Sequence, residues 1–378
     1  AGWQVAQALR AQGCTAPVTL VSACAGDVYD KPMLSVAVAR GLAVDGLVRE
    51  TATDAAARLG VRMLADTHAV AIDAAARRLR TTRGTLRYSA LVLAQGAQPV
   101  LPAPFQPGQV WQVNDLAAYR RLRTQLDGAP RRLAIVGAGL VGCELANDLA
   151  LAGQVVTLLD LQPQPLAAAL PAIAGQRLLA AWAGLPIRFV GGVRVAALQR
   201  VAAPGAGTRP APWQLSLVAA GDGGAAHAPV IADEVVVATG LRTPGRLAAS
   251  AGLAFDAAAG GIVVDGATGA TSVAGIHALG DCAVVDGRAS RFIEPIARQA
   301  AAIAAHLTGR PAPAAADGAP PLLRVKTSAL PITLQAHGTG AGSWSLDEDS
   351  ADALRLQQRD AAGTLLATLV ARRPAAPV

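Results

Sequence analysis

The chain has 378 residues and a formal net charge of +7 at pH 7, with 52% hydrophobic and 16% charged residues. This length favours two or three domains, and the apolar content excludes a disordered chain. The longer apolar stretches are interrupted before the roughly 20 residues that a membrane-spanning helix needs, so we expect a soluble protein. The charge suits an acidic partner, but aromatic residues make up only 3%, which argues against nucleic acid; a compositional bias toward arginine explains the charge equally well.

The first predicted element is a helix in residues 1–13, with an apolar face that includes Val5 and Leu9 and a stop at Gly13. A short apolar strand at 18–21 follows it. No strand precedes the helix in the sequence. Its place in the fold is inferred below from a later segment that repeats its pattern.

The segment 131–160 predicts a dinucleotide-binding unit. A strand leads into the motif G-x-G-x-x-G at Gly137, Gly139 and Gly142, a helix follows, and a second strand ends at Asp160. These glycines permit a tight turn, close approach to a pyrophosphate and packing of helix on strand. A carboxylate at Asp160 would accept hydrogen bonds from ribose hydroxyls, and no arginine follows it, so NADH is favoured over NADPH.

The first residues of the chain repeat the second half of this unit. Ala1 and Gly2 align with Val141 and Gly142, so Gly2 is predicted to be the third glycine of another dinucleotide-binding unit. Its first strand and first two glycines are missing, and we therefore expect a fragment at the N-terminus. Two units predict two dinucleotides, and a flavin facing a nicotinamide is the usual pairing.

The first unit lacks a carboxylate where a ribose-binding acid is usual. Ser22, Ala23 and Cys24 occupy that position. Either Asp27 substitutes for the acid, or the backbone at Ser22 and Ala23 binds the adenosine.

Two strand-and-turn segments recur, at 91–99 with Gly96 and at 235–244 with Gly240. Each is typical of a strand that returns to a parallel sheet beside a nucleotide. The region 193–231 between them predicts hairpins with loose loops.

The four cysteines lie far apart, and none has C-x-x-C or metal-ligand spacing. This pattern is typical of a reduced, cytoplasmic protein without a metal site. The positions are Cys14, Cys24, Cys143 and Cys282.

Three further segments carry a resemblance to a known family. They are YDKPMLS at 29–35, TSVAGIHALGDCA at 271–283, and FIEPIARQA at 292–300, which is followed after a linker at 310–321 by RVKTSALPI. With the two dinucleotide-binding units, they make the chain resemble the FAD-dependent pyridine nucleotide-disulfide oxidoreductases, and most of all the rubredoxin–NAD reductases. The similarity thins beyond Gly338.

The resemblance implies an α/β fold with two Rossmann-like dinucleotide-binding domains, for FAD and NAD, and a small α+β C-terminal domain. The FAD-binding domain is expected to be discontinuous, with the NADH-binding domain inserted in it. The predicted boundaries are 1–105 for the first part of the FAD-binding domain, 106–240 for the NADH-binding domain, 241–310 for the second part of the FAD-binding domain, and 311–378 for the C-terminal domain.

The resemblance also implies site residues. Gly280 would let the backbone approach the flavin, and Asp281 would accept hydrogen bonds from its ribityl hydroxyls. Lys31, beside Pro32, would stabilise negative charge on reduced flavin. The resemblance implies the same role for Lys326. The alternative for Lys31 is a solvated surface side chain.

The sequence places Glu144 in the first turn of the nucleotide-binding helix, where the helix dipole alone would favour it by about 0.3–1 kcal/mol. The resemblance implies instead a position at the flavin–nicotinamide junction, paired with a lysine. Lys31 and Glu144 are therefore the predicted catalytic residues. The predicted cofactor-binding residues are Ala1, Gly2, Ser22, Ala23, Lys31, Pro32, Val70, Gly96, Gly137, Gly139, Gly142, Glu144, Asp160, Gly240, Gly280, Asp281, Ile293 and Lys326, although Val70 is explained nearly as well as a core residue.

The disulfide reductases among the proteins that this chain resembles have a cysteine pair beside the flavin. The corresponding region of this chain, from Tyr29 to residue 47, contains no cysteine. Electrons are therefore expected to leave the flavin directly. The predicted function is transfer of electrons from NADH through FAD to rubredoxin or a similar acidic iron–sulfur carrier. The alternatives are a ferredoxin reductase, the flavin module of an NADH-dependent nitrite reductase, a catalytically idle flavin-binding protein, and a fragment that cannot bind FAD.

Overall fold

The computed structural model describes residues 1–201, 210–221, 224–289, 291–311, 322–338 and 340–374. The chain divides into two compact units: unit 1 is Ala1–Tyr29, Val48–Gln98 and Leu241–Ala319, and unit 2 is Asp30–Leu47, Pro99–Gly240 and Pro320–Val378. Most of the predicted linker at 310–321 lies outside the described residues. The predicted division of the chain by cofactor stays a prediction.

The described residues contain seven α-helices, and local sequence signals mark several of their ends. Asp115 accepts a hydrogen bond from the amide of Ala118 and so caps the third helix. Gly60 and Gly309 end the second and the last helix in the left-handed conformation. The helices are α1 Gly2–Ala11, α2 Ala52–Leu59, α3 Leu116–Gln125, α4 Leu140–Leu151, α5 Ala172–Ala181, α6 Arg246–Ala251 and α7 Glu294–Thr308.

The central sheet of unit 2 is parallel and has four strands. Its order is Ile187–Val190, Val155–Leu159, Arg132–Val136 and Glu234–Val237. The strands are almost continuously apolar, as expected for strands covered on both faces. Val136 pairs with both Leu159 and Val237, so the three strands end together, at the edge where the glycine motif begins.

Unit 2 contains two antiparallel sheets in addition. The first confirms the predicted hairpins, with strands Val193–Arg200, Trp213–Ala219 and Ala226–Ala232. The second is the C-terminal module, with strand order Leu322–Val325, Ile332–Ala336, Leu365–Arg372, Ala353–Arg359 and Ser343–Asp349.

The C-terminal module differs from the predicted α+β domain, because its described residues, 322–338 and 340–374, contain strands and no helix. Alternating burial along Leu365–Arg372 places one face of the sheet inward. The strand Ser343–Asp349 forms one edge of the sheet and carries Asp347, Glu348 and Asp349 on its exposed end.

Unit 1 confirms the predicted opening helix and strand. Helix α1 packs on α7 through Val5, Leu9 and Ile303. The strand Thr19–Val21 pairs in parallel with Arg62–Leu64.

A second parallel pair in unit 1 joins Leu91–Leu93 to Ile276–Ala278. The first of these strands lies in the predicted strand-and-turn segment 91–99. The other strands of unit 1 belong to antiparallel or mixed sheets: Val28–Tyr29 with Val48–Glu50; Ala69–Asp73, Arg78–Thr81 and Gly84–Arg87; and Phe255–Asp256, Gly261–Val263, Ala283–Val285 and Arg288–Ala289.

Short elements complete the chain. The remaining strands are Gln98–Pro99 and Leu241–Arg242, and the 3-10 helices are Lys31–Ser35, Asp45–Leu47 and Gly280–Cys282. Within the described ranges, no helix has both the length and the apolar character needed to cross a bilayer.

Candidate functional site

The glycine motif of unit 2 forms a loop between the strand Arg132–Val136 and helix α4. Gly137 has a φ of +103°, and a Cβ there would lie 2.5 Å from the carbonyl oxygen of Ala238. A Cβ at Gly142 would overlap the carbonyl oxygen of Gly137. Gly139 differs, because a Cβ there would meet no atom within 4 Å. The first and third glycines are therefore required by packing, and the second leaves the loop open to an approaching group.

Asp160 organises this loop through its carboxylate. One oxygen accepts a hydrogen bond from the amide of Ala138 at 2.5 Å, and the other accepts one from the amide of Gln162 at 2.7 Å. Helix α4 has no side-chain cap and no acidic residue in its first turn. Its first amides are thus left for an anion, which suits a pyrophosphate.

Glu144 lies beyond the first turn of α4, and the sequence-based placement in that turn was wrong. The helix begins at Leu140, since Gly139 is its extended N-cap, so Glu144 is the fifth helical residue. A helix dipole acts mainly within the first turn, and it does not account for a carboxylate at this position.

The Glu144 carboxylate is buried and is held by three donors. It forms an ion pair with Lys326 (Nζ to Oε2, 2.8 Å), accepts the Ser35 hydroxyl at 2.5 Å, and accepts the backbone amide of Lys326 at 2.9 Å. The Lys326 ammonium also donates to the carbonyl oxygen of Pro32 at 3.0 Å. Glu144 thus joins the segment after Asp30 to the loop after the strand Leu322–Val325.

Lys31 is not the lysine that pairs with Glu144. Its ammonium donates to the Asn114 side-chain oxygen at 2.8 Å. An amide partner is neutral and brings no opposite charge to Lys31, whereas Lys326 is paired with the carboxylate of Glu144.

Two polar residues of α4 that the sequence analysis missed belong to the same arrangement. Asp148 is fully buried, and its two oxygens accept hydrogen bonds from the amides of Val38 (3.1 Å) and Ala39 (2.7 Å). Burial raises the pKa of the Asp148 carboxyl, although these two amides act in the opposite direction.

Asn147, the other missed residue, is 1% exposed and faces the loop after Val325. Its side-chain amide donates to the Ser328 hydroxyl at 2.8 Å, and its oxygen accepts from the Trp182 indole at 3.1 Å. The signal in the sequence was the spacing of Glu144, Asn147 and Asp148, which places three polar residues on one stripe of an otherwise apolar helix.

In unit 1 the predicted flavin residues lie at the end of the strand Ile276–Ala278. Gly280 has a φ of +69°, and its amide donates to the Gln299 side chain at 2.9 Å. A Cβ at Gly280 would lie 3.7 Å from the Cβ of Ala1, so the start of α1 adjoins this turn. The carboxylate of Asp281 makes no hydrogen bond to the described residues, and it is only partly exposed. It is therefore able to accept hydrogen bonds from a ligand.

Two predicted glycines have the positive φ that their turns require. Gly96 in unit 1 has a φ of +65° and Gly240 in unit 2 a φ of +102°, and a Cβ at either would meet no atom within 4 Å. Gly2 is tighter, because a Cβ there would lie 3.3 Å from the Leu20 side chain.

The predicted adenosine region of unit 1 is built around the strand Thr19–Val21. The amide of Ser22 donates to the carbonyl oxygen of Leu64 at 3.0 Å, and Ala23 follows it at the exposed surface. Asp27 accepts a hydrogen bond from the amide of Ala52 at 3.0 Å, so this carboxylate stabilises the start of α2.

Two other predicted cofactor contacts of unit 1 lie in different segments of the chain. Val70 is half-buried in the strand Ala69–Asp73. Ile293 is 43% exposed at the start of α7, which is unusual for a large apolar side chain.

All four cysteines are free thiols. Cys143 and Cys282 are buried, and burial raises the pKa of both thiols, that of Cys282 to about 11. Each donates to backbone carbonyl oxygens, Cys143 to that of Ala138. Such thiols are poor nucleophiles. No group of three or more His, Cys, Asp or Glu side chains among the described residues is arranged to hold a metal ion.

The family model of the pyridine nucleotide-disulphide oxidoreductases matches residues 1–309. The chain belongs to this family, and the predicted class, a FAD-dependent oxidoreductase that uses a pyridine nucleotide, is confirmed together with its α/β fold.

More particular similarities point to one group of reductases. The chain is 35% identical over 340 residues to the nitric oxide reductase FlRd-NAD(+) reductase of Aeromonas salmonicida (strain A449), which covers 90% of this chain and 82% of the relative. The protein of the same name from Escherichia coli (strain 55989 / EAEC) is 33% identical over 333 residues, 88% of this chain and 82% of the relative.

Solved structures agree with this grouping. The covalent putidaredoxin reductase–putidaredoxin complex matches with a TM-score of 0.82 and 25% identity, over 98% of this chain and 87% of the other. Fdr9 matches with a TM-score of 0.78 and 28% identity, over 98% and 88%.

Proposed function

We propose that the protein takes electrons from NADH, passes them through FAD, and delivers them to a small one-electron acceptor protein of the rubredoxin type. The observation that carries the proposal is the loop of unit 2, in which Gly139 is open and Asp160 holds the turn. The relatives at 33–35% identity, which are named as FlRd-NAD(+) reductases, support the acceptor class.

NADH would bind at the glycine loop of unit 2. The free amides at the start of α4 suit the pyrophosphate, and Gly139 lets it approach the backbone. Asp160 would repel the 2′-phosphate of NADPH, and its remaining acceptor capacity suits the ribose hydroxyls of NADH.

The residues present also fit FAD, which would convert the two electrons of a hydride donor into single electrons for the acceptor. In unit 1, Gly280 makes the turn with a positive φ that leads into Asp281, and Asp281 has a carboxylate with acceptor capacity to spare. The start of α1 at Ala1 and Gly2 adjoins them. Ser22, Ala23, Gly96, Val70 and Ile293 stay predicted contacts.

Lys31 is the better candidate for stabilising negative charge on the reduced cofactor, because its partner Asn114 is neutral. Lys326 and Glu144 balance each other and would serve mainly to position the segment that contains Pro32. This refines the predicted catalytic role of Glu144 to one of positioning.

The buried thiols of Cys143 and Cys282 support direct transfer of electrons from the flavin to the acceptor, because their raised pKa values disfavour the thiolate that a disulfide relay needs. A rubredoxin-type acceptor is the first candidate. A ferredoxin-type acceptor is the second, since the matching putidaredoxin reductase was solved in a covalent complex with its partner protein putidaredoxin.

The test is a visible absorption spectrum of the purified chain with added FAD, before and after anaerobic NADH, followed by addition of oxidised rubredoxin or ferredoxin. A flavin band that bleaches with NADH and returns with one acceptor supports the proposal and identifies that acceptor. A bound flavin that NADH does not bleach contradicts it and favours the idle flavin-binding alternative.

The net charge of +7 adds a second measurement. If basic residues steer an acidic acceptor, the association rate falls as ionic strength rises. An association rate that does not change with salt would indicate that the net charge reflects amino-acid composition and does not steer the acceptor.

A further inference from the structure

Helix α4 contains three buried polar residues in its central turns: Glu144, Asn147 and Asp148, which are 2%, 1% and 0% exposed. Glu144 and Asp148 are one turn apart on the same face, where two carboxylates repel each other. Burying a carboxylate is costly unless it is well hydrogen-bonded, and an apolar side chain of similar volume would stabilise the helix as well or better. Two carboxylates at this place therefore indicate a role other than stability.

The two carboxylates hold the same stretch of chain at two points. We call residues 31–39 the strap. Its first part is the 3-10 helix Lys31–Ser35, and the Ser35 hydroxyl donates to Glu144 at 2.5 Å. Its last part is held by Asp148, whose two oxygens each accept one of two consecutive backbone amides, those of Val38 and Ala39.

Two consecutive amides bound by the two oxygens of one carboxylate fix both the position and the orientation of the chain. The residues between the two attachment points, Val36 and Ala37, are 2% and 0% exposed. The strap is thus attached at Ser35, packed through two residues, and attached again at 38–39. Its register on α4 is set by polar contacts on either side of this apolar pair.

We propose that Asp148 is a positioning residue: by binding the amides of Val38 and Ala39 it sets the register of the strap on α4, and so the place of the Lys31 ammonium relative to the nucleotide loop at the start of the same helix. The catalytic consequence rests on the proposed function, because Lys31 matters to electron transfer only if it faces the flavin. The structural consequence does not depend on it.

Asn147 provides the matched control because it is the immediate neighbour of Asp148 and is equally buried. Its contacts go to Ser328, Ala329 and Trp182, and none of them is in the strap. A substitution at Asn147 perturbs the same turn of α4 without touching the strap amides.

The experiment compares Asp148→Asn with Asn147→Ala in the full chain, with and without added FAD, by hydrogen-exchange mass spectrometry. Asp148→Asn replaces one acceptor oxygen by a donor, so exchange at Val38 and Ala39 is expected to quicken about 10-fold or more, as expected for loss of a hydrogen bond to a charged group. Exchange at 327–329 is expected to stay unchanged in this variant and to quicken in Asn147→Ala. Unchanged exchange at Val38 and Ala39, or equal quickening of both segments by Asp148→Asn, would overturn the proposal.

The functional arm measures anaerobic reduction of the bound flavin by NADH. Asp148→Asn is expected to lower the limiting rate of reduction about 10-fold while the NADH dissociation constant stays the same, because the glycine loop is untouched. A purely structural defect would lower the limiting rate of reduction and also weaken NADH binding. That result, or an unchanged limiting rate, contradicts the positioning role. If the wild-type chain binds flavin but is not reduced by NADH, the proposed function fails, and the exchange experiment still decides whether Asp148 holds the strap.

Asp148→Glu covers the case in which Asp148→Asn does not fold. This variant keeps both acceptor oxygens but displaces them by one methylene. Exchange at Val38 and Ala39 should then remain slow while the limiting rate of reduction falls, since the strap is still bound but shifted. A limiting rate equal to that of the wild type would contradict the proposal.

Discussion

Breaking the ion pair between Glu144 and Lys326 should strongly destabilise unit 2, because one buried charge is left without its partner, and Lys326→Met tests this. This substitution removes the ammonium that reaches Glu144 at 2.8 Å, the Pro32 carbonyl at 3.0 Å and the Ser35 hydroxyl at 3.3 Å. Methionine is unbranched and only one atom shorter than lysine, so the change is mainly one of charge and hydrogen bonding.

The expected loss of stability follows from how deeply the two side chains are buried. Removing one partner of a buried pair costs about 3–5 kcal/mol when the other charge is left uncompensated. The Glu144 side chain is 3% exposed, but Lys326 is 24% exposed and Glu144 keeps two other donors. We therefore expect Lys326→Met to lower the free energy of unfolding by about 2–3 kcal/mol, and Glu144→Gln by about 1–2 kcal/mol.

The double variant distinguishes a direct interaction from two separate defects. If the two side chains act on each other, the double variant costs less than the sum of the single ones, by about 1–2 kcal/mol. Urea unfolding followed by tryptophan fluorescence measures this, because Trp3 is the only one of the five tryptophans in unit 1 and the other four report on unit 2.

The pair of Arg132 and Asp233 is the control, since its side chains are 50% and 30% exposed at a distance of 2.7 Å. Exposed pairs couple by about 1 kcal/mol or less. Strict additivity of Lys326→Met and Glu144→Gln, or a coupling no larger than that of the control pair, would refute the assignment of Glu144 and Lys326 as a buried pair.

Three further predictions concern the nucleotide loop and a buried histidine. Gly139→Ala should leave stability unchanged but weaken NADH binding roughly 10-fold or more, whereas Gly142→Ala should also destabilise by about 1–3 kcal/mol; calorimetry and NADH titration separate the two. Asp160→Asn should weaken the binding of NADH and reduce the preference for NADH over NADPH. Steady-state kinetics with both coenzymes would contradict this if the wild type and the variant discriminated between them equally. His277 is 2% exposed with neither ring nitrogen hydrogen-bonded among the described residues, and burial lowers its pKa below 6.5. The unfolded chain then binds the proton more readily, so stability is lost as pH falls from about 6.5 through the lowered pKa, and melting curves of His277→Leu should depend less on pH in that range.

The glycine loop could be predicted from the sequence because its causes are local. Gly137 needs a positive φ, and Gly142 lies against the carbonyl oxygen of Gly137, only five residues away. The opening helix was predicted for the same reason, since its apolar spacing matches that of a helix and Gly13 has the left-handed φ of a stop.

The contacts of α4 could not be predicted because they join segments far apart in the chain. A lysine partner for Glu144 was expected, but nothing local distinguishes Lys31 from Lys326, which lies 182 residues away from Glu144. Asn147 and Asp148 have the composition of an exposed helix face. Only the fold shows that this face is covered by the strap and by the loop at 326–329.

The acidic strand Ser343–Asp349 has a consequence for how two copies of this protein meet. An edge strand offers unpaired backbone groups to any other strand, and Leu346, at 54% exposure, adds an apolar side chain to this edge. Asp347, Glu348 and Asp349 follow it directly, in a chain whose net charge is positive. The Asp347 and Asp349 carboxylates pair with Arg355 and Arg177, so the end of this strand carries charged side chains of both signs. A second strand that paired there would have to remove these charges from water, which disfavours extension of the C-terminal sheet into an intermolecular sheet at this edge.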